Sequence, residues 1–243
     1  MNTVAIVQAR MGSTRLPGKV LLTAAGKTLL AWHLERLAQV PGIDRIVVAT
    51  TDLPADEAIA KHAAALGADV FCGSERDVLD RYYQAAQRSH ADRVLRTTSD
   101  CPLLDPALVE RLLHSWQADS FDYLSTATPQ HYPRGMDCEL LAIEALRTAW
   151  EEGCEPDDRE HVTPFLYRRP ERFRIGRLKP AQPYPDYRLT VDTAEDLQLV
   201  RHVLDALGAG PFGLDDIHHL FQRHPQWLEL NAQVRHKEFT YGR

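Results

Sequence analysis

Four short apolar runs alternate with four helix-length segments before residue 120, and few architectures accommodate that order. Thr3 to Ala9 reads as a buried strand, Leu29 to Val40 as an amphipathic helix, and Ile46 to Thr50 as a second strand. A helix over Asp56 to Leu66 closes at Gly67; Asp69 to Phe71 is a short third strand and Val78 to Arg88 a third helix. Val94 to Thr97 makes the fourth strand. A helix over Pro106 to Trp116 follows, with Asp105 as its cap and proline in its first turn. Strands spaced by helices of this length imply parallel βαβ units with right-handed crossovers. The expected fold class is α/β, a mostly parallel twisted sheet flanked by helices. In such sheets ligands bind beyond the carboxyl ends of the strands, near the switch in strand order. That singles out the loop after Ala9 and the loop after Thr98.

The second half is less regular. Phe121 to Thr126, Asp137 to Leu141, Arg172 to Leu178 and Tyr187 to Val191 read as strands, with helices over Ile143 to Glu151 and Arg159 to Tyr167. Pro180, Pro183 and Pro185 make Lys179 to Asp186 an extended linker. Ala194 to Leu207 is a helix entered through Asp192-Thr193, and Leu214 to Arg223 and Gln226 to Val234 are shorter helical segments. No repeat or low-complexity segment divides the 243 residues, so one domain over 1–243 is expected, its irregular second half a small α+β extension.

Charge and cysteine usage narrow the partners. A net charge of −6, from 28 Lys+Arg against 34 Asp+Glu, argues against a general nucleic-acid binder but leaves room for a local basic cleft. Cys72, Cys101, Cys138 and Cys154 form no Cys-x-x-Cys pair, so reduced thiols are expected rather than a disulfide framework or a zinc site. The apolar run Val4 to Val7 is too short for a secretory core, and no stretch approaches the ~20 apolar residues of a membrane span. The expectation is a soluble cytoplasmic protein.

The loop Gln8-Ala9-Arg10-Met11-Gly12-Ser13-Thr14-Arg15-Leu16-Pro17-Gly18-Lys19 carries three cations, two hydroxyls and two glycines directly after the first strand. Glycines let backbone N–H groups approach a phosphate, arginine offers a planar fork to its oxygens, and lysine adds a mobile point charge. The set suits a triphosphate. It is not a Walker A loop, because five residues separate Gly12 from Gly18 and Val20 stands where a metal-binding hydroxyl is required. Nor does it contain the Gly-x-Gly-x-x-Gly of a dinucleotide fold. A merely solvated cationic turn is the competing reading.

The string VQARMGSTRLPGKVL closely resembles the signature of the cytidylyltransferases, the family that includes the 3-deoxy-manno-octulosonate and acylneuraminate enzymes. It is nearest the branch named after spore-coat polysaccharide biosynthesis protein F. Carried over, the resemblance implies a Rossmann-like nucleotide-diphospho-sugar-transferase fold and a CTP site. It gives Ala9, Arg10, Gly12, Ser13, Arg15 and Lys19 nucleotide-binding roles, Arg15 and Lys19 being catalytic as well. The stretch Gly73-Ser74-Glu75-Arg76-Asp77 also matches the branch; the backbone near Gly73 would border the nucleobase, while Ser74 is a natural cap for the following helix. The terminal run NAQVRHKEF is similar too, so the likeness covers nearly the whole chain.

Nucleotidyl transfer needs a cation beside the triphosphate, and carboxylates at strand ends can hold Mg²⁺ there. Ser99 and Asp100 follow the fourth strand. From the residues alone, Asp100 is equally a metal ligand or the cap of the turn before Pro102. Asp192 is an attractive helix cap as well. The resemblance of DCPL and DTAEDL to family motifs implies that Asp100, also catalytic, and Asp192 are the metal ligands, and that Asp196 is structural. Between them, Arg134, Asp137 and Glu139 lie in a segment that the family places near its acceptor, with the two carboxylates expected on one side of a strand. His161 is a further acceptor-site or subunit-contact residue.

The expected reaction is in-line attack of a small anionic acceptor on the α-phosphorus of CTP, releasing pyrophosphate. The acceptor is a sugar acid, a phosphonate or a phosphorylated metabolite. A homodimer built through roughly residues 127–190 is implied by the resemblance. Two other readings stay open: a nucleotide-sugar-dependent glycosyltransferase, against which the absent Asp-x-Asp argues, and a non-catalytic nucleotide-binding protein of the same fold.

Overall fold

A computed structural model of the chain describes residues 1–127 and 131–235. The first strand, β1 (Thr3–Gln8), is apolar on both faces, and its side chains feed two cores: Val4 and Ile6 enter one, Ala5 and Val7 the other. A 3₁₀ turn (Lys19–Leu21) and a small hairpin, β2 (Thr23–Ala24) with β3 (Lys27–Thr28), precede α1 (Leu29–Leu37), which Thr28 caps through the Ala31 N–H at 3.0 Å. Then come β4 (Arg45–Thr51), α2 (Glu57–Ala65), β5 (Asp69–Gly73), α3 (Val78–Arg88), β6 (Arg93–Thr98) and α4 (Pro106–Ala118). Asp105 caps α4 as expected. The irregular half adds β7 (Tyr123–Ser125), β8 (Glu139–Ala142), α5 (Ile143–Glu152), α6 (Pro156–His161), α7 (Pro164–Tyr167), β9 (Ile175–Arg177), α8 (Ala194–Leu207) and α9 (Leu214–Arg223).

Seven strands form one sheet in the order β5-β4-β1-β6-β8-β7-β9, in which only β8 runs against its neighbours. The mostly parallel α/β expectation holds. Leucines and alanines of α1, α2 and α4 cover one face of the sheet, while α3, α5 and α7 cover the other. A third core packs α8 and α9 against Trp32, Leu103, Met136 and Leu189. No helix among the described residues is long and apolar enough to cross a membrane.

Four local expectations are corrected. The helix expected over Arg159 to Tyr167 is two, α6 and α7, broken at Val162, which takes φ +73°. Pro164 has no N–H to give the Glu160 carbonyl, and its ring would clash with that carbonyl in a continuous helix, so the chain turns and restarts. Tyr187 to Val191 is extended but joins no sheet: it makes one isolated bridge, Arg134 to Arg188, and Val191 N–H bonds to the Asp100 carbonyl at 2.8 Å. Pro225–Glu229 is a short 3₁₀ segment in place of a helix over Gln226 to Val234. Asp77 caps α3, and Ser74 instead accepts N–H bonds from Arg76 and Asp77 in the preceding turn. The 236–239 part of the NAQVRHKEF run lies outside the described residues.

Gly135 makes the 134–188 bridge possible. Its φ is +97°, and a Cβ there would lie 2.6 Å from the Leu189 carbonyl carbon and 2.8 Å from the Thr190 nitrogen. Gly135→Ala is expected to lower unfolding free energy by about 2–4 kcal/mol, from strain and overpacking together. Gly210→Ala, at a position open to solvent, should change it by no more than about 0.5 kcal/mol. Urea unfolding of the two variants checks the contrast, and equal midpoints would remove this role.

Candidate functional site

The chain leaves β1 toward β4 and β5, then returns to place β6 on β1's other side, so the switch in strand order falls between β1 and β6. Gln8 and Thr98 face one another in register at the ends of these strands. The two loops singled out from sequence therefore open side by side, as the switch-point rule requires. Between them lies a cavity of about 260 Å³. Ala9, Arg10, Gly12, Ser13, Arg15 and Lys19 line it from the first loop, and Ser99 and Asp100 from the second. Asp192, from the entry of α8, closes it.

Lys19 is the hub. Its Nζ donates to Asp100 Oδ2 at 2.7 Å, to Asp192 Oδ1 at 2.8 Å and to the Val191 carbonyl at 2.8 Å. Burial alone would lower the Lys19 pKa, but the two carboxylate charges and their hydrogen bonds outweigh it and raise the pKa above 10.5. Burial likewise works against charge on Asp100 and Asp192, and Lys19 overrides it at both. The Asp192 pKa falls to about 2, helped by Arg188 and Arg15. All three groups are ionised near neutral pH.

The shell around this triad fixes its geometry. Arg15 reaches Asp192 Oδ2 at 2.9 Å and Arg188 reaches it at 2.7 Å. Arg188 also binds Asp196 through Nε at 2.8 Å. Asp196 completes the capping box with Thr193 and accepts a bond from Asn231 at 3.0 Å, the structural role expected of it. Asp56 anchors the first loop, accepting the Met11 N–H at 2.6 Å and the Thr51 hydroxyl. Under the second loop, buried His33 bridges Thr97 Oγ1 at 2.9 Å and the Cys101 carbonyl at 2.8 Å. Burial pushes its pKa down to about 4, so the ring is neutral near pH 7. Asp56, His33 and Asn231 were not marked as site residues in the sequence; each acts through contacts between residues distant in the chain. Of the loop's two glycines only Gly18 needs its freedom, at φ +67°.

The donor set fits a hard divalent cation. Two ionised carboxylates converge on one point, now held by an ammonium, and Mg²⁺ prefers one or two carboxylates completed by water and substrate phosphates. Among the described residues no cluster of three or more His, Cys, Asp or Glu side chains could hold a metal without such help.

A second cavity, of about 490 Å³, adjoins the first and shares Gln8, Arg10 and Thr98 with it. Its remaining wall includes Glu75, Arg76, Arg96, Glu160 and His161. Burial lowers the His161 pKa below 6.5, which favours the neutral ring. The other residues expected at an acceptor site do not gather here. Glu139 is buried beneath the cavity, bonded to Arg96, to the Tyr123 hydroxyl at 2.5 Å and to the Thr163 hydroxyl at 2.8 Å. Asp137 precedes β8 and closes a turn on the Gly135 N–H at 3.1 Å, so the two carboxylates do not share a strand face. Arg134 serves the bridge to Arg188, and Gly73 lines neither cavity.

Comparison with known proteins agrees with this geometry. The cytidylyltransferase family model matches residues 4–232. An uncharacterized protein of Methanocaldococcus jannaschii is 36% identical over 245 residues, covering 98% of each chain. Spore coat polysaccharide biosynthesis protein SpsF of Bacillus subtilis is 33% identical over 218 residues, covering 85% of this chain and 88% of that protein. A solved cytidylyltransferase from Leptospira borgpetersenii superposes with a TM-score of 0.91 at 29% identity, covering 98% of this chain and 100% of that one. The loop from Gln8 to Lys19 lies at the switch point of a mostly parallel sheet, and the chain belongs to the cytidylyltransferase family, the CTP-dependent nucleotidyltransferases.

Proposed function

We propose that the protein transfers CMP from CTP to a small anionic acceptor, with release of pyrophosphate, in the biosynthesis of a surface polysaccharide or a phosphonate-type product. The observation that carries this is the convergence of Lys19, Asp100 and Asp192 at the mouth of a loop bearing Arg10 and Arg15. Arg10, Arg15 and Lys19 bind the triphosphate, and Arg15 and Lys19 offset the charge that grows on the departing pyrophosphate. Backbone N–H groups of the loop orient the phosphates, while Ala9 and Ser99 confine the nucleotide from the strand ends. Asp100 and Asp192 would hold Mg²⁺, which when bound would neutralise phosphate charge and favour an ionised acceptor oxygen. His161, neutral at the wall of the second cavity, contacts the acceptor. The chain works as one unit over residues 1–243, and pairs with a second copy through the 127–190 region.

Thermal shifts with Mg²⁺ and each of CTP, UTP, ATP, GTP and UDP-glucose test the reading. CTP should stabilise the protein most, by about 2–3 kcal/mol at a hundredfold excess over its dissociation constant. Stronger stabilisation by a purine nucleotide or by UDP-glucose would overturn it, the latter in favour of glycosyl transfer.

A further inference from the structure

The second cavity, beyond the wall it shares with the first, is lined by an arginine that the transferase reading does not use. Arg96 sits on β6 two residues before Thr98, so both side chains point to the same side of the strand. Its side chain is only 16% exposed, yet it lines the second cavity. Glu139, on the neighbouring β8 and in register with it, takes Nη1 of the guanidinium. The Tyr82 ring lies 5.6 Å from its Cζ. Among the described residues Nε has no hydrogen-bond partner. The Nε–Nη2 edge is the side of the fork that grips two oxygens of a carboxylate or phosphate at once.

Two further features point the same way. The Gln8 Oε1 atom is buried without a partner at the junction of the two cavities, and a buried amide oxygen is costly to leave unmet. Val162, a β-branched residue held at φ +73°, breaks the helix so that Thr163 braces Glu139 while His161 ends α6 at the cavity wall. The chain accepts local strain to keep Glu139, and hence Arg96, in place.

We propose that Arg96, braced by Glu139, Tyr82 and Thr163, is the anion anchor of the acceptor site, and that Gln8 binds a hydroxyl of the same molecule. The acceptor is then a hydroxylated small anion, held by its carboxylate or its phosphorus oxygens about 7 Å along the strand from the shared wall at Thr98. The assignment rests on the transferase reading and names the acceptor class for it.

Thermal shifts of the CTP- and Mg²⁺-saturated protein with inorganic phosphate and with acetate test the anchor, because CTP then fills the first cavity. At least one anion should raise the Tm further. Arg96→Lys, which keeps the charge beside Glu139 but loses the fork, should weaken that anion's apparent affinity at least tenfold. Arg96→Gln combined with Glu139→Gln removes both charges together, so neither is left buried alone, and should abolish the shift while CTP still binds. A response to phosphate alone assigns a phosphorus-bearing acceptor; a response to acetate alone assigns a sugar-acid type. An anion shift that survives both variants, or none in the CTP-loaded wild type, would overturn the anchor and leave the transferase reading intact. Absence of any CTP shift overturns both.

Discussion

Lys19→Met should cut CMP transfer by about a thousandfold and, at pH 7, destabilise the protein by about 3 kcal/mol. The two losses share one cause. Asp100 and Asp192 each lie within 2.8 Å of the Lys19 ammonium, and with it gone two part-buried carboxylates face one another. Arg15 and Arg188 still compensate Asp192, which places the stability loss toward the lower end of what an orphaned buried charge costs. The pH dependence follows from the direction of each shift. In the wild type the raised Lys19 pKa gives a contribution present in full below pH 10.5, lost only as pH rises through the still higher folded value. In the variant the carboxylates lose their main source of depression, so their pKa values rise and acidification from pH 7 toward 5 should restore stability. Millimolar Mg²⁺ at pH 7 should restore it as well, by replacing the missing cation. Urea titrations at pH 7 and pH 5, with and without Mg²⁺, measure both rescues. A variant as stable as the wild type and indifferent to Mg²⁺ would show that the triad is not the charge centre described.

The parallel half of the fold was legible because its signals are periodic. Thr3 to Ala9 and Ile46 to Thr50 read as strands, and Val4 to Val7 and Val47 to Thr50 are buried on both faces of the sheet. The loop from Gln8 to Lys19 stood out because its cations, hydroxyls and glycines are contiguous. What escaped lacks one of those properties. Two-residue strands such as Thr23–Ala24 are too short to show alternation. Tyr187 to Val191 has the composition of a strand, but its hydrogen bonds go to Arg134 and Asp100 rather than to a sheet. Lys19, Asp100 and Asp192 are far apart in the chain, and nothing in their local spacing joins them; the family likeness suggested the set, and the fold brings the three together. Arg96 did carry a signal: a cation inside an apolar strand, matched by Glu139 inside another, implies either a paired or a functional charge. Only the register of β6 with β8 shows that the two meet.

Asp192 and Asp196 lie one helical turn apart, touch the same arginine, and should fail in opposite ways. Asp192→Asn is expected to lower turnover by about a thousandfold or more, with the loss appearing in kcat and in the Mg²⁺ concentration needed for half-maximal rate. Its stability should fall only modestly, because the wild-type carboxylate contributes about 2 kcal/mol as an ion. That contribution is in full above the ordinary aspartate value of 3.8 and disappears as pH falls through about 2, so the variant should also lose this limb of its acid unfolding curve. Asp196→Ala removes a carboxylate that is 0% exposed and accepts the N–H groups of Asp192 and Thr193, the Arg188 fork and Asn231. Arg188, left with Asp192 as its acidic partner, and the lost helix cap together should cost about 3 kcal/mol of folding free energy. The Mg²⁺ requirement of whatever fraction remains folded should stay within about threefold of wild type, since Lys19 and Arg15 still position Asp192. Steady-state kinetics against Mg²⁺ and urea unfolding of both variants separate the two roles. Equal kinetic losses at equal stability would mean that the two carboxylates act as one metal-binding pair, and that the structural assignment of Asp196 is wrong.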